Sequence, residues 1–162
     1  MLSLLLNHWS RRATEIKDFN WLRGFAEAEG CFQVVLRTQE YKDKAANISL
    51  RFTITQHNRD EQLLKSFVNY LGCGRYYPVS GRNEGYFIIS TFSDIYEKII
   101  PLFDKYPLLG SKQQDYLDFV IVAELIRSKG HLTKEGLARI QMIKSNMNSG
   151  RIHSVSNPTT EE

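Results

Sequence analysis

The sequence predicts an α+β domain: one four-stranded antiparallel sheet with helices on a single face and its other face open. Three observations predict it. Period-two alternation of apolar and polar residues appears in two pairs of segments, each pair joined by a polar turn. The segments before, between and after those pairs carry apolar residues at helical spacing. The 162 residues show no internal repeat, and that length suits one domain with a real core. The expected order is αββαββα(α), with residues 18–152 as the domain.

The first helix runs through Trp21-Leu22-Arg23-Gly24-Phe25-Ala26-Glu27-Ala28-Glu29. Asp18 is its expected N-cap, and Gly30 stands where a left-handed C′ glycine ends a helix. Strand one follows from Cys31 to Arg37, with Phe32, Val34 and Leu36 inward and Cys31, Gln33, Val35 and Arg37 outward. A polar turn over 39–46 leads to strand two, 47–57. There Ile48, Leu50, Phe52 and Ile54 face the core, and Asn47, Ser49, Arg51 and Thr53 face away. Asn58-Arg59-Asp60-Glu61 has the form of a capping box for a second helix, which Gly72 to Gly74 end. A second hairpin, 75–79 and 86–91, places Arg75 and Tyr77 on the strand and Arg82 in its turn. Ser93 is the expected cap of a helix carrying Ile95 and Ile99, and Pro101 is expected to end or kink it. Ser111 to Gln114 opens a long helix to about Lys129 with a stripe of Tyr116, Phe119, Val120, Ala123 and Ile126; Gly130 closes it. Thr133 caps a last helix that buries Leu137, Ile140, Ile143 and Met147.

Composition excludes some classes and leaves others open. The chain has 21 basic and 18 acidic residues, a net charge of +3, which permits nucleic-acid binding without requiring it. Two cysteines and four scattered histidines make neither a zinc spacing nor a disulfide framework, which favours a reducing compartment. No apolar run approaches the ~20 residues of a membrane-spanning helix. Residues 1–17 are apolar, then basic, without an acid before Glu15. They fit a mitochondrial presequence, a leader remnant or an extension packed on the fold. The last residues, 153–162, have no pattern and are expected to be a disordered tail.

The first helix holds the chemistry. Gly24 and Ala28 lie one above the other and leave a groove into which a second helix backbone could pack. Glu27 and Glu29 stand at the helix end that carries the negative dipole charge and unpaired carbonyls, where carboxylates are unfavourable without a cation. Carboxylate and carbonyl oxygens converging there suit a hard divalent ion such as Mg²⁺. For the shape Gly-x-x-x-Ala-Glu-Gly taken alone, a capped helix with solvated glutamates is the commoner case. The outward strand residues Gln33, Val35, Arg37, Asn47, Ser49, Arg51, Thr53, Arg75 and Tyr77, with Arg82, can contact base edges or phosphates, and a two-stranded ribbon fits the major groove.

The stretch 21–32 resembles the LAGLIDADG motif of homing endonucleases. Leu22, Gly24, Ala28 and Gly30 match it; Phe25, Ala26, Glu27 and Glu29 replace Leu, Ile and the two Asp; Arg23 departs from a usual small residue. The resemblance extends from Phe19 to Arg151, where the close from His131 is similar to the second half of two-motif fungal mitochondrial enzymes. It implies the homing-endonuclease fold, with a saddle-shaped sheet over the DNA major groove. It also implies a mitochondrial, metal-dependent DNA endonuclease that cuts both strands of a long, near-palindromic site as a homodimer and leaves short 3′ overhangs. Its implied catalytic residues are Glu29, Gln56 and Lys112. The implied metal ligands for Mg²⁺ or Mn²⁺ are Glu29 and the Ala28 carbonyl, and the implied dimer interface is Trp21, Gly24, Phe25 and Ala28. Two other outcomes fit the same resemblance: an intron RNA maturase, and a catalytically idle DNA-binding half of a two-motif enzyme, natural or engineered.

Overall fold

The computed structural model describes residues 18–37 and 47–150. The expectations for 1–17, for the turn over 39–46 and for the tail 153–162 lie outside the described residues. Helix α1 (Phe19–Glu29) is capped as its sequence requires, with the Trp21 N–H donating to Asp18 Oδ1 at 2.8 Å. Strands β1 (Gly30–Arg37) and β2 (Asn47–His57) follow, then α2 (Glu61–Leu71), β3 (Arg75–Pro78) and β4 (Glu84–Ile89). Helices α3 (Ile100–Lys105), α4 (Lys112–Arg127) and α5 (Lys134–Ser145) follow, and a 3₁₀ turn, Asn148–Gly150, closes the described residues. The four strands form one antiparallel sheet in the order β1-β2-β4-β3.

Strand register sorts side chains as the period-two pattern requires. Phe32 pairs with Phe52 and Phe52 with Ile89; Val34 pairs with Leu50, and Ile54 with Phe87. These residues are buried in one core with Leu22 and Ala26 of α1, Leu64 and Phe67 of α2, Phe103 of α3, and Tyr116, Phe119, Val122 and Ala123 of α4. Phe32 is its centre, with ring centroids of Phe52, Phe103, Tyr116 and Phe119 at 5.0, 5.4, 5.4 and 5.3 Å, three of the four edge-on. Edge-to-face rings add roughly 0.5–1.5 kcal/mol each beyond area burial. All described helices that pack on the sheet share this face, so among the described residues the other face is bare.

Several local expectations give way to tertiary contacts. Gly30 is extended, with φ −78° and ψ 152°, so its lack of a side chain is not needed for a left-handed turn. A Cβ there would lie 2.6 Å from the Ala26 carbonyl oxygen, and that close approach is the reason. The capping box at Asn58 does not form. A 3₁₀ turn, Asn58–Asp60, intervenes; His57 Nδ1 accepts from the Arg59 N–H at 3.2 Å, and the Asn58 amide faces the Arg82 carbonyl at 3.5 Å. Thr91, not Ser93, precedes the next helical turn, Phe92–Asp94. Pro101 neither ends the helix nor breaks it, because a π-helical turn, Ile95–Ile99, runs into α3 just ahead of it. A π-turn shifts the carbonyls that a proline ring would otherwise meet and removes the need for its missing N–H. Lys129, with φ 61°, takes the left-handed position after α4 that was expected of Gly130. Thr133 caps α5 as expected, its Oγ1 accepting from the Gly136 N–H at 3.0 Å. No helix among the described residues is long and apolar enough to cross a membrane.

Candidate active site and nucleic-acid interface

The outward face of the sheet is polar and basic. Register places Gln33 opposite Arg51, Val35 opposite Ser49, Arg37 opposite Asn47, Thr53 between Cys31 and Ile88, and Tyr77 opposite Tyr86. Arg75 pairs with Ile88 on the same face. Strands β1, β2 and β3 carry no acidic residue, and among the described residues Arg37, Arg51 and Arg75 form no ion pair. The Arg51 Nε is buried without a hydrogen-bond partner. Guanidinium groups without an ion pair, on strands that carry no acid, create a field that attracts polyanions, and Glu84 of β4 is the acid that register places on this face. Two residues differ from their neighbours. Thr53 lies on this face but is only 9 % exposed, and Arg82 shares its charge with Glu84 at 3.2 Å.

One end of that sheet meets the C-terminal end of α1, where three chemically distinct side chains gather. Glu29, the last residue of α1, is exposed and has no hydrogen bond or ion pair among the described residues. Lys112, in the first turn of α4, donates from Nζ to the carbonyl of Gly30, the residue after Glu29. That bond ties the ammonium to the helix end whose partial negative charge favours it. Gln56 has the parity of Ile54, the partner of Gly30, and lies about 7 Å further along β2, beyond the start of β1. The sheet thus brings Glu29, Lys112 and Gln56 to one end. An ammonium has three donors, so Lys112 keeps two for another acceptor.

Glu27, the other motif carboxylate, does a different job. Its Oε2 accepts from the Leu109 N–H and its Oε1 from the Gly110 N–H, both at 2.9 Å. It thereby pins the loop that delivers Lys112. A Cβ at Gly110 would lie 2.5 Å from Glu27 Oε1, so the bond needs a glycine there.

Glu29 and the unpaired carbonyls of the last turn of α1 are hard oxygen donors, which fit Mg²⁺-type ions. Among the described residues no group of three or more His, Cys, Asp or Glu surrounds them. One copy of this domain would therefore supply only part of a coordination sphere, with the remaining oxygens to come from water, a ligand or another chain.

Among the described residues the outer side of α1 is open. Trp21, Gly24 and Ala28 are exposed, Phe25 is half-buried, and a Cβ on Gly24 would meet nothing within 4 Å. Trp21 stacks on Phe25 at 5.1 Å and 10°. Arg23 is turned roughly 100–160° away from every member of this stripe, so it does not obstruct the stripe.

Sequence reading missed Asp115 and Asn148. The Asn148 N–H donates to Asp115 Oδ1 and its Nδ2 to the Phe32 carbonyl, both at 2.9 Å, and Cys31 Sγ donates to its Oδ1 at 3.4 Å. Burial pushes the Cys31 thiol above its ordinary value, against a smaller lowering by Lys112. The sequence signal was a lone buried acid on the apolar side of α4, one turn after Lys112.

Fold and site define an α+β domain whose acidic helix end abuts a basic sheet face, bare among the described residues. The chain belongs to the LAGLIDADG endonuclease family: that family's model matches residues 22–123. It is similar to the Neurospora crassa protein named "Probable intron-encoded endonuclease 2", 38% identical over 128 residues, 79% of this chain and 27% of the relative. It is also similar to "Homing endonuclease I-ApeII" of Aeropyrum pernix, 27% identical over 77% of this chain and 74% of the relative. Among solved structures, the LAGLIDADG homing endonuclease I-SmaMI bound to cleaved DNA superposes with a TM-score of 0.81 and 41% identity, over 85% of this chain and 46% of that one. I-SmaMI has also been solved on uncleaved DNA in the presence of calcium ions. The fold is thus the homing-endonuclease fold. The chain spans about a quarter of the Neurospora relative and just under half of I-SmaMI.

Proposed function

We propose that this chain is a site-specific, metal-dependent DNA endonuclease that acts as a homodimer, its two α1 helices packed through Trp21, Gly24, Phe25 and Ala28. The observation that carries the reading is Glu29, a carboxylate without a partner beside an open helix face. A two-fold axis along that face brings two Glu29 side chains together and completes an oxygen-rich site that one copy leaves half-built. The likeness to I-ApeII, a homing endonuclease of which the match covers 74%, supports a single-domain version of the family.

Glu29 and the Ala28 carbonyl would hold Mg²⁺ or Mn²⁺. When bound, the cation supplies Lewis-acid chemistry: activation of water, neutralisation of the phosphate and stabilisation of the leaving 3′ oxygen. Gln56 orders the attacking water through its amide. Lys112, anchored on Gly30, directs its remaining donors at charge developing on the phosphate. Glu27 fixes the loop that carries Lys112. Gln33, Val35, Arg37, Asn47, Ser49, Arg51, Arg75 and Tyr77 read the major groove, Thr53 contributes at most its edge, and Arg82 contacts the backbone from the turn. The target is near-palindromic because the dimer is, and the products carry short 3′ overhangs. Relatives named as intron-encoded proteins of fungi support a mitochondrial setting.

Selection of cut sequences from a randomised DNA library tests this. Recovery of a near-palindromic site, cut in both strands with Mg²⁺ and left whole with a chelator, is expected. Binding without cutting under both conditions would refute the nuclease. A second reading, a half-enzyme completed by a different half, is favoured by the 46% coverage of I-SmaMI. It predicts a monomer in solution and a recovered site without symmetry.

A further inference from the structure

Lys112 sits at the centre of a closed circuit of contacts. Its Nζ donates to the Gly30 carbonyl, which fixes the first turn of α4 to the first residue of β1. One turn later on the same helix face, Asp115 accepts the Asn148 N–H at 2.9 Å. Asn148 returns to β1 two residues after Gly30, donating from Nδ2 to the Phe32 carbonyl at 2.9 Å and accepting from Cys31 Sγ at 3.4 Å. Among the described residues β1 is an edge strand, and at the Phe32 carbonyl the asparagine takes the place of a neighbouring strand. Asn148 is suited to this by having both a donor and an acceptor on one short side chain. Its backbone, at φ 53°, lies in the left-handed region that asparagine tolerates better than most residues.

The turn that presents Asn148 is itself well anchored. Met147 beside it is 4 % exposed. Gly150 N–H donates to the Met147 carbonyl at 3.0 Å, and a Cβ on Gly150 would lie 2.2 Å from the Ser145 carbonyl oxygen. A flexible lysine on an otherwise half-open helix start is therefore set in place from the far end of the chain.

We propose that Asn148 is a positioning residue: it holds the first turn of α4 against the start of β1 and so sets Lys112 beside Glu29. This rests on the role given to Lys112 in DNA cleavage. Asn148→Gly is the informative variant, because glycine keeps the positive φ and the N–H to Asp115 and removes only the side-chain bonds. Asn148→Asp keeps the shape but turns an oxygen toward the Phe32 carbonyl, and it serves if the glycine variant fails to fold.

Two readouts decide. The first needs no cleavage: lysines carrying ¹³C-methyl labels are observed by NMR, and Lys112 is assigned by its absence in Lys112→Ala. In Asn148→Gly the Lys112 signal should move to the position of exposed lysines. The Lys98 signal, held on the Gly72 carbonyl at 2.7 Å, should stay. The second is single-turnover cleavage, expected to fall at least tenfold while DNA affinity stays within twofold. In a Lys112→Ala background the same change should cost less than twofold. An unmoved Lys112 signal, or a loss undiminished in the Lys112→Ala background, would overturn the proposal. If the wild type cuts no DNA, the nuclease reading fails by itself and the lysine signal alone judges the latch.

Discussion

Replacing each motif glutamate by glutamine should affect stability differently, with a loss at Glu27 and none at Glu29. Glu27 receives two backbone N–H groups at 2.9 Å, and a hydrogen bond to an ionised group contributes about 1.5–3 kcal/mol. Glu27→Gln keeps one acceptor and turns an NH₂ group toward the other N–H, so one bond is lost. Leu109 and Gly110 are exposed, and water relieves the orphaned N–H, which puts the cost at the lower end, about 1–2 kcal/mol. For a chain of this size that lowers Tm by roughly 2–8 °C. Glu29 has no such partner and faces the negative end of α1. Removing its charge should leave stability unchanged or raise it by about 0.3–1 kcal/mol at low salt. Urea titrations followed by circular dichroism, in chelator so that no metal contributes, measure both. Equal losses, or a larger loss from Glu29→Gln, would refute the division of labour between the two carboxylates.

Other consequences follow from single residues. Gly30→Ala forces a Cβ to within 2.6 Å of the Ala26 carbonyl oxygen; about 1–3 kcal/mol of destabilisation should appear in the same titration, and an unchanged midpoint would show that the helix end yields. Gly24→Leu has open space around it in one copy and should leave chain stability nearly intact while halving the mass seen by sedimentation; a mass unaffected by the change would remove α1 from the interface. The Tyr96 hydroxyl at 2.7 Å, then Arg127 at 2.9 Å, hold the Glu124 carboxyl below the usual carboxylate range. Because its folded value is depressed, its contribution is full above the unfolded value and lost as pH falls through the folded one. The stability gap between wild type and Glu124→Gln should therefore close below about pH 4, and a gap that persists would contradict the assignment.

What could be read from the sequence was whatever depends on short spans. The Asp18 and Thr133 caps each need one N–H three residues on, and both form. The two hairpins follow from alternation, which also sorts the outward residues, because a strand's faces are fixed by parity. Asn58 and Ser93 carry the same local signal as the true caps, and there the competing contacts win: Asn58 turns to Arg82, 24 residues away. Gly30 was placed correctly at the helix end for the wrong reason, since its constraint is the Ala26 carbonyl and not its own φ. The Asn148 latch joins residues separated by 33 and 116 positions, and no periodicity or spacing encodes such a meeting. Glu29 was legible from its place at the negative end of a helix, whereas Gln56 and Lys112 were legible only through the family resemblance; the fold supplies the physical reason the three share one end of the sheet.

Glu29 as the metal-holding carboxylate of a DNA-cutting dimer is tested most directly by wild type and Glu29→Gln on one selected DNA site, with Mg²⁺ and with chelator. The expected result is equal binding by both proteins, cleavage of both strands by the wild type with Mg²⁺ alone, and none by Glu29→Gln in either buffer. Cleavage by Glu29→Gln at the wild-type rate, or metal-independent cleavage by the wild type, would contradict it.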